Sequence, residues 1–245
     1  MNEVIELLKS HRSIRKFTDQ PVTPEILEEI LTAGQAAATS SFIQATTVVR
    51  VTNPETRQKL VEYSGGQTYV ASAPEFLVFC ADLSRAGMCC DMQNIEQAEG
   101  FTEHFIIATV DVALMAQNVT IAAESLGLGI CYIGGLRNNP QGVSELLDLP
   151  DQVYPVFGYC LGYPDQDIDL RPRLPLSVVL KQERYNTETD QETIAEYDKT
   201  VETYYAKRLG GGKSMTWTEQ VAGLTGKEAR PHMLAYLRSK GFLKR

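Results

Sequence analysis

The sequence predicts a layered domain of the α/β or α+β class. Two observations carry this. Runs rich in β-branched and aromatic residues at 46–52 (TTVVRVT), 76–80 (FLVFC), 130–133 (ICYI) and 153–163 (VYPVFGYCLGY) alternate with segments of helical character. In a chain of 245 residues that is 43% hydrophobic, there is enough apolar material to fill one large core or two small ones.

Residues 3–10 read as a short helix. A second helix opens with Thr23 as N-cap and Pro24 at the first helical position, and continues through Ile26, Leu27, Ile30 and Leu31. Between the first two strands, Pro54–Tyr63 is helical, whereas residues 85–100 are polar and fit no single pattern. A long helix then runs from about Glu103 to Leu126, apolar nearly all round, as befits the centre of a fold or a subunit interface. Asp111, Gln117 and Asn118 interrupt its apolar tract; they are costly in lipid and easily satisfied within a protein, so a buried helix is expected and no membrane span. His104, in the same stretch, reads as a satisfied core residue. Gly127 or Gly129 ends the helix, and the strand 130–133 ends on Gly134-Gly135. After Pro164 the character changes to a polar extended segment, with helices resuming around Gln191 and Gly210-Gly211-Gly212 as a mobile loop.

Net charge is -8, which disfavours nucleic acid and anionic membranes as partners. The average hides an asymmetry. From Lys199 to Arg245 there are ten Lys or Arg against three Asp or Glu, a balance of +7; the remainder has 13 against 28, or -15. A basic appendage on an acidic body can attract a diffusible anion. Cys80, Cys89, Cys90, Cys131 and Cys160 form no Cys-x-x-Cys pair, and His11, His104 and His232 lack ligand spacing, so no metal site is expected. The cysteine usage and the want of a secretory leader pattern point to the cytoplasm.

Five short stretches can carry chemistry. His11-Arg12-Ser13-Ile14-Arg15 combines two fixed cations, an imidazole and a hydroxyl, a set suited to phosphate oxygens. Gly134-Gly135-Leu136-Arg137 follows a strand and allows close approach of a ring or phosphate to the backbone. Thr39-Ser40-Ser41-Phe42 offers hydroxyls, Gly65-Gly66-Gln67 an amide, and Arg171-Pro172-Arg173 a stiffened pair of guanidiniums. Read singly, each has a plain alternative: solvated arginines, a turn, a Ser-rich loop, a glycine C-cap, a surface segment. A Rossmann fingerprint, a Walker loop and a G-x-S-x-G elbow are all absent from the sequence, so a bound cofactor is the economical source of chemistry.

Together HRSIRKFTD at 11–19, TSSFIQ at 39–44, GGQ at 65–67, AAESLGLGICYIGGLRNNP at 122–140, GYCLGYP at 158–164 and RPRLP at 171–175 resemble the nitroreductase family. The closer likeness is to its oxygen-insensitive NADPH nitroreductase and NAD(P)H-flavin oxidoreductase subgroup, with landmarks at Tyr197-Asp198, Tyr204-Tyr205, Arg208 and Trp217. The resemblance implies an α+β fold, a mixed sheet flanked by helices, in an intertwined homodimer with FMN contacted by both chains. It also implies a core over 1–164 and an extended arm over 165–245 within one domain, the arm serving the dimer interface. His11, Arg12, Ser13 and Arg15 would hold FMN, with Arg171 and Arg173 at the phosphate; Thr39, Ser41, Gln67, Ile133, Gly134, Gly135 and Leu136 would line the ribityl chain and ring. Arg15 would face the pyrimidine edge, as the residue closest to the chemistry. Thr39 and Arg171 stand where Ser and Lys are usual, and both keep the needed donor. The implied activity is ping-pong transfer of two electrons from NADPH or NADH to nitroaromatics, quinones or free flavin; the alternatives are a flavin reductase whose main role is to supply reduced FMN, and a flavin-binding protein without catalysis. Lys207, Arg208, Lys213 and Arg230 would recognise the pyridine nucleotide phosphates.

Overall fold

The computed structural model describes residues 2–208 and 214–245. The expected loop at 210–212 and the candidate cation Lys213 lie outside those residues. The chain divides into two compact units, residues 1–167 with 232–245, and residues 168–231.

In the first unit, α1 (Glu3–Lys9) is capped by Asn2, whose side chain accepts from the Ile5 amide at 3.0 Å. Helix α2 (Pro24–Gln35) starts as its sequence dictates, with the Thr23 hydroxyl accepting from Ile26 N. Strand β1 (Thr46–Arg50) follows, then α3 (Pro54–Tyr63), capped by Asn53, and the single turn α4 (Tyr69–Ser72). Strand β2 (Glu75–Asp82) leads into α5 (Ser84–Met92), which occupies the start of the stretch with no clear sequence pattern. The long helix is α6 (Thr102–Ser125), followed by β3 (Gly129–Ile133), α7 (Pro140–Leu146) and β4 (Val153–Gly162).

The sheet order is β1-β2-β4-β3, and all three pairings are antiparallel. The parallel component of the expected mixed sheet is confined to one isolated bridge, Ser13 to Ile130. Both central strands are almost wholly buried, and their period of two feeds two cores. Leu77, Phe79 and Ala81 face one layer with Tyr159 and Leu161, packed against α2 and α6; Phe76, Val78 and Cys80 face the other with Cys160, packed against α3, α4 and α7. Helices therefore cover both faces of one sheet.

Helix α6 is the spine of this unit. Ala108, Val112, Ala116, Val119 and Ala123 are fully buried, and Asn118 Nδ2 reaches Ala33 O at 3.4 Å. Gly34 on α2 is needed at the crossing, because a Cβ there would lie 2.4 Å from Val119 Cγ2. Ile106, Val110 and Leu114 form an exposed stripe on the same helix, each more than 40% accessible. His104 is not in the core as expected: it is half-buried and meets the Phe101 ring edge-on.

The second unit holds α8 (Leu176–Val179), α9 (Asp190–Lys207) and α10 (Trp217–Thr225), the last opened by a capping box between Thr216 and Glu219. Helix α11 (Met233–Ser239) belongs to the first unit, where Tyr236 OH and Ser144 Oγ are 2.6 Å apart.

Candidate functional site

Where α1 ends, the chain turns extended and lies along the outer edge of β3. Ile14 N donates to Ile130 O at 2.8 Å, and the Ile14 side chain is 5% exposed. It packs on Gly129, where any Cβ would come within 2.6 Å of Ile14 Cγ1. Driving Ile14 inward turns its neighbours Ser13 and Arg15 the other way. Arg15 Nη1 donates to Ser13 O at 3.3 Å, its guanidinium lies 5.9 Å from the Tyr69 ring centroid, and its backbone N–H donates to Gln166 Oε1 at 3.0 Å. His11 Nδ1 is 2.6 Å from Glu124 Oε1 on α6. Arg12 is exposed and has no hydrogen-bond or ion-pair partner among the described residues.

Tyr69 joins this edge to a second motif. Its hydroxyl donates to Gln67 Oε1, and Gln67 Nε2 donates to Ser64 O at 2.7 Å. Gly65 and Gly66, with φ of +82° and +81°, close α3 as a glycine C-cap and bring Gln67 into place. The plain reading of Gly65-Gly66-Gln67, a glycine C-cap, is what the backbone shows. Gly135 packs on the same group: a Cβ there would sit 2.2 Å from Gln67 Nε2 and 2.5 Å from Ser64 O. Ser13, Arg15, Tyr69, Gln67 and Gly135 form a connected set of contacts, in which the Ser13 carbonyl accepts from Arg15 and Gly135 packs on Gln67. The side chains of Ile133 and Leu136 are fully buried in the core, so these residues can offer a ligand only their backbone. Burial pushes the Tyr69 phenol and the Cys131 thiol up, with Arg15 pulling each partly back, so both remain neutral donors near pH 7.

Residues 8–163 match the nitroreductase family and residues 171–245 the C-terminal domain of that family. The chain belongs to the nitroreductase family. It is 47% identical to the NADPH-flavin oxidoreductase of Vibrio harveyi and 43% identical to the oxygen-insensitive NADPH nitroreductase of Salmonella typhimurium, in both cases over all of this chain and all of the relative. The solved structure of the Vibrio harveyi NADPH:FMN oxidoreductase complexed with NAD+ superposes with a TM-score of 0.92 at 45% identity, covering both chains completely. NfrA1 of B. megaterium gives a TM-score of 0.96 at 42% identity, covering 99% of this chain and all of that one.

Two of the expected residues of this nitroreductase lie elsewhere. Thr39 and Ser41 precede β1, at the opposite edge of the sheet from Ser13 and β3. Three inter-strand gaps of about 4.8 Å put roughly 14 Å of packed sheet between those edges. In the second unit, Arg171 Nη2 donates to Tyr205 OH at 3.3 Å and the guanidinium stands over that ring, while Arg173 Nη1 donates to Arg171 O at 3.3 Å. With Tyr197, Tyr204 and Trp217 they line a cavity of about 380 Å³. Lys207 and Arg208 end α9, and Arg230 has the left-handed φ of 53°.

Tyr69 and Glu124 escaped the sequence reading. Tyr69 has no signal of its own, since its role depends on Arg15 arriving from a segment more than fifty residues away. Glu124 stands out only as a carboxylate within the last turns of an apolar helix.

Proposed function

We propose that this nitroreductase is an FMN-dependent oxidoreductase that takes two electrons from NADPH or NADH and passes them to nitroaromatics, quinones or free flavin. The family supports the reaction class, and one observation carries the site: the Arg15 guanidinium, held by Ser13 O and the Tyr69 ring, beside the Gln67 amide and the bare backbone of Gly135. The residues fit FMN. Among the described residues Arg12 is a free cation for a phosphate and Thr39 Oγ1 is closed to water yet has no hydrogen-bond partner, while Gly135, lacking a Cβ, lets the backbone after β3 pack directly against Gln67 and Ser64.

When bound, FMN supplies the chemistry, accepting a hydride from the pyridine nucleotide and returning two electrons to the second substrate in turn. The chain's own contribution is positioning and charge. Arg15 is fixed in advance, so its charge can stabilise the anionic reduced ring without reorganising. Gln67, locked by Ser64 and Tyr69, presents an amide of defined orientation. Arg171 and Arg173 are assigned to the phosphate by the resemblance, and Lys207, Arg208, Lys213 and Arg230 to the pyridine nucleotide. No side chain is assigned as general acid, and protons come from water.

Thr39 and Ser41 reach the cofactor from a second copy of the chain. Their place across the sheet from Arg15 supports this, as does the exposed stripe Ile106, Val110 and Leu114. The decisive experiment is the visible spectrum of purified protein, then anaerobic addition of NADPH or NADH, then acceptors. The expected result is a yellow protein that bleaches and is reoxidised by menadione or nitrofurazone. A colourless protein that cannot be reconstituted with FMN overturns the proposal, and a yellow one that consumes no NAD(P)H reduces it to flavin binding.

A further inference from the structure

The loop from Thr39 to Thr46 joins α2 to β1 in a conformation its residues do not favour. Ser41, Phe42 and Gln44 have φ of 49°, 60° and 55°, in the left-handed region, and none is glycine. Such residues relax unless their surroundings hold them. Two side chains from separate helices do so. Asp111 on α6, completely buried, accepts from Ser40 N at 3.0 Å through Oδ1 and from Ala45 N at 3.1 Å through Oδ2, pinning both ends of the turn. Arg85 on α5 grips the far end: Nη2 donates to Gln44 O at 3.1 Å and Thr46 O at 2.5 Å, while Nη1 donates to Thr47 Oγ1 at 2.6 Å and Asp82 Oδ2 at 2.8 Å. Between these clasps Thr39 Oγ1 and Thr46 Oγ1 are closed to water with no hydrogen-bond partner among the described residues, and both residues line a cavity of about 1170 Å³ together with Ser41.

We propose that Asp111 and Arg85 are positioning residues for the flavin, holding residues 39–46 in the strained form that presents the Thr39 and Ser41 hydroxyls to it. The inference rests on the reading of Thr39 and Ser41 as flavin ligands. The residue types are those the task demands. Two converging N–H donors need an acceptor at each end, which a carboxylate provides and an amide does not. Two carbonyls two residues apart need a fork of donors, which Arg has and Lys lacks. Asp111 serves the fold of α6 poorly, since an apolar residue would pack there without a charge to desolvate. Its reason for being there lies in the loop.

The test is FMN titration of the deflavinated full-length protein, followed by flavin fluorescence and by the visible circular dichroism of bound flavin, for wild type, Asp111→Asn, Arg85→Lys, Thr39→Val and the Asp111→Asn/Thr39→Val double variant. Apparent affinity falls in proportion to the competent fraction of the loop, so a loop correctly placed a tenth of the time gives a Kd about tenfold higher. Asp111→Asn is expected to show that weakening with a changed dichroism band, and Arg85→Lys about threefold in the same direction. Thr39→Val should weaken binding, and the double variant should show the two factors multiplied, because the lost contact acts within the competent fraction. Wild-type Kd and dichroism in Asp111→Asn and Arg85→Lys, beside a weakened Thr39→Val, overturns the inference and leaves the flavin-ligand reading intact. Wild-type binding by Thr39→Val overturns both. Should Asp111→Asn fail to fold, Arg85→Lys against Thr39→Val decides on the same criteria. A role in stability alone would lower the unfolding temperature of the apoprotein without moving Kd or dichroism, and that result also overturns it.

Discussion

Replacing Gly129 by Ala tests whether the arginine-bearing edge is held in place by core packing. The added methyl would lie 2.6 Å from Ile14 Cγ1, 2.9 Å from Cβ and 3.2 Å from Cγ2. Carbon atoms in contact prefer about 3.5–4.0 Å, so Ile14 must retreat by roughly 1 Å. Rotation cannot relieve this, because Ile14 Cβ itself is too close and a β-branched side chain is stiff at χ1. The backbone must move, lengthening the 2.8 Å bond from Ile14 N to Ile130 O. Overpacking costs about 1–3 kcal/mol and the weakened hydrogen bond about 1 kcal/mol. Thermal unfolding should fall by several degrees, since each kcal/mol is worth about 2–4 °C in a chain of this length. Ser13 and Arg15 move with Ile14, so FMN titration of the apoprotein should show a Kd raised about tenfold or more, a misplacement of this size being ample. Gly223→Ala is the control, with nothing within 4 Å of the new carbon and an ordinary helical setting. It should leave FMN binding unchanged. Wild-type FMN affinity in Gly129→Ala would refute the reasoning, whatever happened to stability.

Tyr69→Phe keeps the ring under Arg15 but removes the donor to Gln67, so FMN should bind about threefold to tenfold more weakly, read by the same titration. Arg208→Ala should raise KM for NADPH much more than KM for NADH in steady-state assays; equal changes would sink a role at the 2′-phosphate. Burial alone would raise the Asp82 carboxyl, but hydrogen bonds from Ser84 and Thr47 and the charge of Arg85 prevail and hold it below its ordinary value. A lowered folded value means stability present above the unfolded value, about 3.9, and lost as pH falls through the folded one. Asp82→Asn should therefore be less stable than wild type by about 1–3 kcal/mol at pH 7, with the gap closing on acidification in urea titrations. Leu114→Glu, on the exposed stripe of α6, should shift sedimentation toward monomer and weaken FMN binding in step.

Local chemistry made much of the fold legible. Thr23-Pro24 and Asn53-Pro54 set helix starts that the structure reproduces, because capping depends on neighbours in sequence. The strands announced themselves by composition, although antiparallel pairing throughout did not, since pairing is decided between distant segments. Asp111 was visible as a carboxylate in an apolar helix, but the two amides it serves come from a loop about seventy residues earlier. Residue type in such cases signals that a partner exists, and only the packing of α6 against that loop names it.

The placement of Thr39 and Ser41 bears on more than their contacts. Both candidate ligand sets are individually well formed: Arg15, Tyr69, Gln67 and Gly135 follow one another in contact at the β3 edge, and the clasped loop at the β1 edge holds the Thr39 and Thr46 hydroxyls, unpartnered among the described residues. An unsatisfied buried hydroxyl costs free energy in an isolated chain, about 1–3 kcal/mol each. Such groups persist where a ligand or partner satisfies them in the working assembly. A flavin lying between the Arg15 edge of one copy and the Thr39 loop of another would do this for both copies at once. In that arrangement cofactor retention and dimerisation would stabilise each other by mass action, and neither surface would need a large affinity of its own.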